Sequence, residues 1–349
     1  MKRPHHGGNL VWAASLAGCS PDEILDFSAS INPLGLPDTA IAAIQGGMER
    51  LRSYPDPNYT DLRDRLAQAH NLAPEWILPG NGAAELLTWI GRDLAQFEAT
   101  YLWFPAFRDY TRALQAFGGA IVPQTLVLPD WDMPSSGEIA PHSSILVNNP
   151  HNPTGRIWTR EELLPLLDKF DLVVVDEAFM DFLPPSQSES LVGMVSQHEN
   201  LVILRSLTKF YSLPGLRLGY AIAPPDRLQR WQEWRDPWSV NILADLAAQA
   251  VLGDTEFQQR THNWLKKARS HLFEQLEQIP GLRPFPGAAN FLLVETQGSS
   301  VELQRQLLEG DRILIRDCLS FPELGDRYFR VAVRTIAENQ RLVEGLRRI

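Results

Sequence analysis

Long hydrophobic runs are missing from this 349-residue sequence. No apolar stretch approaches the roughly 20 residues that a membrane-spanning helix needs. The basic start, MKRPHHGGN, has no apolar segment behind it to make a signal peptide. An excess of positive charge is missing too. The net charge is -10, which sets nucleic acid aside as a partner and leaves local arginines to gather any anionic ligand. Cysteine is scarce: Cys19 and Cys318 lie far apart without metal-ligand spacing. They read as reduced thiols of a cytosolic protein, with a pairing between them left open. Internal repeats and low-complexity tracts are also absent. What remains is a cytoplasmic globular chain with no metal site and no membrane segment, long enough for one large domain and a smaller one.

The stretch Ile203–Gly219, ILRSLTKFYSLPGLRLG, organises the rest. An apolar run, Leu201–Leu204, reads as a buried strand and ends in a hydroxyl-rich turn, Ser206-Leu207-Thr208, followed by Lys209. Arg217 follows eight residues later, ahead of the apolar Leu218–Ala221. A lysine in this setting suits a phosphorylated aldehyde cofactor, its amine forming a Schiff base while Ser206, Thr208 and Arg217 take the phosphate. A solvated loop lysine is the plain alternative, so the neighbouring segments decide.

Several of those segments are suited to ligands. HHGGN at 5–9 combines two glycines with the side-chain donors of His6 and Asn9, its plain alternative being a flexible N-terminal tail with a chance histidine pair. Trp76–Gly82 turns through glycines into a helix beginning at Ala83, which leaves unpaired N–H groups facing an anion. GNGAAE carries no Walker lysine and lacks the glycine spacing of a dinucleotide fingerprint. Phe107 opens another helix and has two readings, core residue or cover for a cofactor ring. The run NNPHNPTG at 148–155 puts Asn152 where a strand ends, the usual ligand edge of an open α/β sheet. Asp176 directly follows Leu172–Val175, so it is partly buried and needs a cationic partner, either an arginine or a protonated ring nitrogen. Arg316 and Arg330 occupy strand-type positions and pair either with internal acids or with a substrate carrying two anionic groups. Strands alternate with helices over residues 75–225, which predicts a mostly parallel, helix-covered sheet. A long helical stretch over 241–278, broken near GDTEF, then leads to strands at 290–295, 313–316 and 328–333. The domain division expected is 1–50 as N-terminal arm and part of a small domain, 51–240 as the large domain, and 241–349 as a small α+β domain.

Taken together, the glycine turn, Phe107, Asn152 in NPTG, Asp176 in DEA, SLTK ending at Lys209, Arg217 and Arg330 resemble fold-type I pyridoxal-phosphate enzymes of the histidinol-phosphate aminotransferase branch. HGGN at 6–9, DFSASINPLG at 26–35, SYPDPNY at 53–59, RSLTKFYSLPGLRLGY at 205–220 and PWSVN at 237–241 are similar to the threonine-phosphate decarboxylases within it. The resemblance runs along nearly the whole chain. It implies the fold-type I transferase fold, pyridoxal 5'-phosphate as cofactor and decarboxylation of L-threonine O-3-phosphate to (R)-1-aminopropan-2-ol O-phosphate in cobalamin biosynthesis. Histidinol-phosphate aminotransferase is the alternative. By matching position, it makes Lys209 the Schiff-base lysine and pairs Asp176 with the ring nitrogen. Asn152 meets the phenolic oxygen, and Phe107 stacks on the ring. Ala83, Ala84, Ser206, Thr208 and Arg217 bind the cofactor phosphate, with Tyr54 donated by the second subunit of a homodimer. Arg330 takes the substrate carboxylate and Arg316 its phosphate, aided by His6, Asn9, Asn32 and Asn152. One departure stands out: the tyrosine usual three residues after the ring aspartate is Phe179 here, so a hydrogen bond to the phenolic oxygen is lost.

Overall fold

The computed structural model describes residues 3–135 and 137–349. Its first strand, β1 (Leu25–Asp26), is short and finds its partner far along the chain. Seven strands then build the central sheet: β2 (Ile77–Asn81), β3 (Ala99–Phe104), β4 (Ile121–Thr125), β5 (Ser143–Asn148), β6 (Leu172–Asp176), β7 (Leu201–Ser206) and β8 (Leu218–Ile222). Their spatial order is β2-β8-β7-β6-β5-β3-β4. β8 runs antiparallel to both neighbours, β2 and β7, while the remaining pairings are parallel.

The composition of these strands explains the sheet. β5, β6, β7 and β8 are buried at every residue, as expected for a sheet covered on both faces. Alternate side chains serve two cores. Val173, Val175 and Ile203 enter one, with Trp158 and Phe291; Leu172, Val174 and Leu204 enter the other, with Leu86, Ile90 and Trp231. The second core is closed by helix Ala83–Leu94, whose Leu86, Leu87, Ile90 and Leu94 form one buried stripe. The crossover helix expected over 161–169 is two short pieces, Arg160–Leu163 and Pro165–Lys169. Pro165 lacks the N–H that would have continued the first piece. The long helical stretch breaks as expected near Gly253, with Asp254 capping the 23-residue helix Thr255–Glu277.

A second sheet follows, made of β9 (Leu282–Pro284), β10 (Phe291–Thr296), β12 (Arg316–Asp317) and β13 (Tyr328–Ala332), in the order β12-β13-β10-β9. The strand expected over 313–316 is divided. Its first half, β11 (Ile313–Leu314), pairs in parallel with β1, and its second half is β12. The N-terminal residues are thereby tied to the C-terminal third of the chain, and helix Leu10–Ala17 shares a small core with Leu308 and Leu314. Among the described residues, no helix is long and apolar enough to cross a membrane.

Beneath the site, a buried ion pair ties β6 to β7. Arg205 on β7 lies 3.1 Å from Glu177, just past β6, and 2.6 Å from Asp181. The residues beside them, Asp176 and Ser206, face the opposite way, into the candidate site. Replacing Arg205 by methionine leaves Glu177 uncompensated and should lower stability by about 3–5 kcal/mol. Urea unfolding measures this, and adding Glu177→Gln should recover part of the loss.

Candidate active site

Parallel strands end together, so the C-terminal edge of the central sheet collects Asn81, Asn148, Asp176 and Ser206. Because β8 runs the other way, its start lies at the same edge, and Arg217 immediately precedes it. A cavity of about 370 Å³ opens there, within the size range of small-molecule sites. Its lining includes Ala83, Ala84, Phe107, Asn152, Asp176, Ser206, Thr208, Lys209, Arg217, Arg316, Arg330 and His6.

One end is built for an anion. Helix Ala83–Leu94 starts at Gly82 without a side-chain cap, so its first N–H groups face the cavity margin. The Ser206 and Thr208 hydroxyls meet at 2.8 Å, and Ser206 Oγ accepts from Lys209 Nζ at 3.2 Å. Arg217 adopts a left-handed backbone (φ 59°) and donates to the Pro214 carbonyl at 3.0 Å. Glycines make this close approach available. A Cβ on Gly82 would stand 2.6 Å from Arg217 Nη2, and one on Gly219 would stand 2.5 Å from the Ala83 nitrogen.

Asp176 lies across the cavity. Its Oδ1 accepts from the Ala178 N–H at 2.9 Å and its Oδ2 from the Tyr110 hydroxyl at 2.7 Å. Burial pushes its carboxyl above the usual range, while Tyr110, Lys209 and Ala178 pull it back. Lys209 is shifted downward by burial. Asp176 opposes that shift, and Arg217 and Arg330 add to it. The amine therefore gives up its proton more easily than an exposed lysine. Its Nζ sits 5.3 Å from the Phe179 ring centroid, and Phe179 packs edge-on against Phe291. Phe107 is half-buried, edge-on to Tyr110 and tilted against His6.

On the remaining side, Arg316 and Arg330 are cross-strand partners on β12 and β13. Both are buried, and among the described residues neither has a carboxylate within ion-pair distance. Like charges directly opposite one another are unfavourable in a sheet. Arg330 is pushed down to about 10 by burial, with Arg316 acting in the same direction. It donates to Asn152 Oδ1 and, at 3.3 Å, to the Ser28 carbonyl. Arg316 donates to the His5 carbonyl and to Ser320 Oγ, both at 2.5 Å. The N-terminal segment roofs this side: Gly8 N–H donates to Ser28 Oγ at 2.8 Å, and a Cβ on Gly7 would stand 2.2 Å from the Ser28 carbonyl oxygen.

Three expected residues lie elsewhere. Asn9 caps helix Leu10–Ala17, its Oδ1 accepting from the Trp12 N–H at 3.0 Å, and it does not line the cavity. Asn32 is fully engaged, donating to the Phe210 carbonyl and Thr261 Oγ1 and accepting from the Leu34 N–H. Its backbone N–H donates to the Lys209 carbonyl at 3.1 Å, so Asn32 steadies the lysine loop. In this structure the Asn9 amide oxygen serves a helix cap, and the Asn32 amide bonds within the chain through both its oxygen and its nitrogen. Tyr54 is 79% exposed and stacks on Trp238, away from its own chain's cavity. Conversely, Tyr110 was not among the expected site residues. The available signal was its spacing, three residues after Phe107 on one helical face.

The fold and the site together define a pocket with an anion cradle at one end, a buried carboxylate opposite an amine, and two buried arginines on a further side. The family model for aminotransferase class I and II matches residues 22–346, and the chain belongs to that family. It is 38% identical to the threonine-phosphate decarboxylase of Salmonella typhimurium, over 99% of this chain and 96% of that one. It is 30% identical to the histidinol-phosphate aminotransferase of Methanothermobacter thermautotrophicus, over 97% and 92%. Among solved structures, L-threonine-O-3-phosphate decarboxylase from Porphyromonas gingivalis superposes with a TM-score of 0.83 at 25% identity, covering 92% of this chain and 97% of that one. Pyridoxal phosphate is this family's cofactor. The residues present fit it: an uncapped helix start, hydroxyls and Arg217 at one end, a buried carboxylate at the other, and an amine between.

Gly219→Ala should disturb this cradle, because the methyl group meets only backbone, the Ala83 nitrogen and the Arg205 carbonyl. We expect a stability loss of about 1–3 kcal/mol and weaker retention of pyridoxal phosphate, read by thermal unfolding and equilibrium dialysis.

Proposed function

We propose that this chain decarboxylates L-threonine O-3-phosphate to (R)-1-aminopropan-2-ol O-phosphate and carbon dioxide, a step of cobalamin biosynthesis, with pyridoxal 5'-phosphate as cofactor. The observation carrying this reading is the register of Arg316 opposite Arg330. Two buried, mutually repelling cations, with no carboxylate within ion-pair distance among the described residues, suit a substrate bearing both a phosphate and a carboxylate. The 38% identity with a threonine-phosphate decarboxylase supports the same substrate.

Pyridoxal phosphate, when bound, supplies an electron sink for a bond broken at the substrate α-carbon. We assign Lys209 its covalent attachment, Asp176 the ring nitrogen, Asn152 the phenolic oxygen and Phe107 a ring face. Ala83, Ala84, Ser206, Thr208 and Arg217 hold its phosphate. Phe179 offers no hydrogen bond to the phenolic oxygen, so that task falls to Asn152. Arg330 takes the substrate carboxylate, while Arg316, with His6 nearby, takes the substrate phosphate. Gripping both ends would fix the rotation about the α-carbon and so would select which of its bonds is broken. With the carboxylate selected, the α-carbon to carboxylate bond would break, carbon dioxide would leave, and a proton would take its place at the α-carbon. We assign that protonation to Lys209 Nζ, whose lowered proton affinity favours donation. A cytoplasmic homodimer belongs to the same proposal. Tyr54 on the open surface, with Met48 and Leu51 also exposed, suits reaching a second subunit's phosphate.

The purified, cofactor-loaded protein should release carbon dioxide from L-threonine O-3-phosphate without any oxo-acid acceptor. Absence of carbon dioxide, with glutamate formed from histidinol phosphate and 2-oxoglutarate, would make it an aminotransferase instead. Lys209→Ala should lose the visible absorbance that borohydride reduces. Arg316→Ala should weaken threonine phosphate binding far more than threonine binding, and equal losses would remove its phosphate role.

A further inference from the structure

We infer that Tyr110 is a positioning residue for Asp176, a charge-neutral donor that keeps this carboxylate ionised and directed at the cofactor's ring nitrogen. The inference rests on the functional reading above. Tyr110 is buried in the core closed by helix Ala83–Leu94, among Leu87, Leu102, Ala106 and Leu114. A phenylalanine would fill that space equally well, so the hydroxyl needs its own explanation. Its hydrogen bond goes to Asp176 Oδ2 at 2.7 Å. With the Ala178 N–H on Oδ1, both oxygens are fixed and the carboxylate plane cannot rotate freely.

The chemical type of the donor matters. An arginine or lysine here would neutralise Asp176 and weaken its hold on a protonated ring nitrogen. A histidine would do so intermittently, as it titrates near neutral pH. Tyr110 donates without bringing charge, and its own ionisation is driven well above the usual range by burial, by Asp176 and by Asp109. Among the described residues, the other charged group facing Asp176 is Lys209 beyond β7, itself influenced by Arg217 and Arg330. Burial alone would favour the protonated acid. Removing the tyrosine donor therefore raises the proton affinity of Asp176, so its negative charge is lost at a higher pH.

The test compares wild type and Tyr110→Phe for retention of pyridoxal phosphate, by equilibrium dialysis from neutral pH downward, with circular dichroism as a check on folding. Affinity at neutral pH should fall roughly tenfold, and release on acidification should begin at higher pH. Coinciding release curves for two folded proteins would overturn the inference. Repeating the substitution in Asp176→Asn, which has no carboxylate to titrate, should give no further change. An equal loss in both backgrounds would make Tyr110 a packing residue only. A wild type that retains no cofactor would instead sink the functional reading, so the two failures are distinguishable.

Discussion

A carboxylate buried at the end of a buried strand is the constraint on which the rest of this site depends. Asp176 closes the apolar strand β6, and burial alone would favour its neutral form. Three elements converge to offset this: the turn at Ala178, the helix carrying Tyr110, and the lysine loop after β7. Each also has a second task. The helix carries Phe107 into the cavity, and the loop carries Thr208 and Lys209 just past Ser206 at the end of β7. Satisfying one carboxylate therefore aligns many of the groups that line the cavity. The opposite-facing pair of Glu177 and Arg205 clamps the same two strand ends from below.

The reversed strand β8 adds what parallel strands cannot. A cation at the start of a parallel strand would lie at the far edge of the sheet from Asp176. The antiparallel turn before β8 returns Arg217 to the ligand edge, over Gly82 and beside the uncapped helix. One strand direction thus assembles the anion cradle from segments more than a hundred residues apart.

Much of this was legible in the sequence, because the informative residues close apolar runs. Asp176 and Ser206 end buried strands, and Lys209 follows directly, so the strand pattern alone puts them at one edge. The amides were less legible. Asn9 and Asn32 sit in motifs that suggest ligand contact, yet an asparagine serves a helix cap or a backbone carbonyl equally well. Tyr110 was missed because its role depends on which face of a helix meets the sheet, a tertiary fact. The opposition of Arg316 and Arg330 depends on strand register, and a run of apolar residues hid the sheet switch at Ile315.

The pairing of β1 with β11 separates the two halves of the site in biosynthetic time. The groups proposed to face the cofactor within one chain lie between Ala83 and Arg217, a contiguous segment that can come together early as the chain emerges. The proposed substrate side draws Arg316 and Arg330 from near the C-terminus and the roof from near the N-terminus. Its closing contacts, Arg3 to Gln304 and Arg316 to His5, span 301 and 311 residues. Contacts of such separation carry a large loop-closure cost and depend on structure already formed between them. A nascent or truncated chain ending before residue 316 therefore has the lysine and the anion cradle but neither of the opposed arginines.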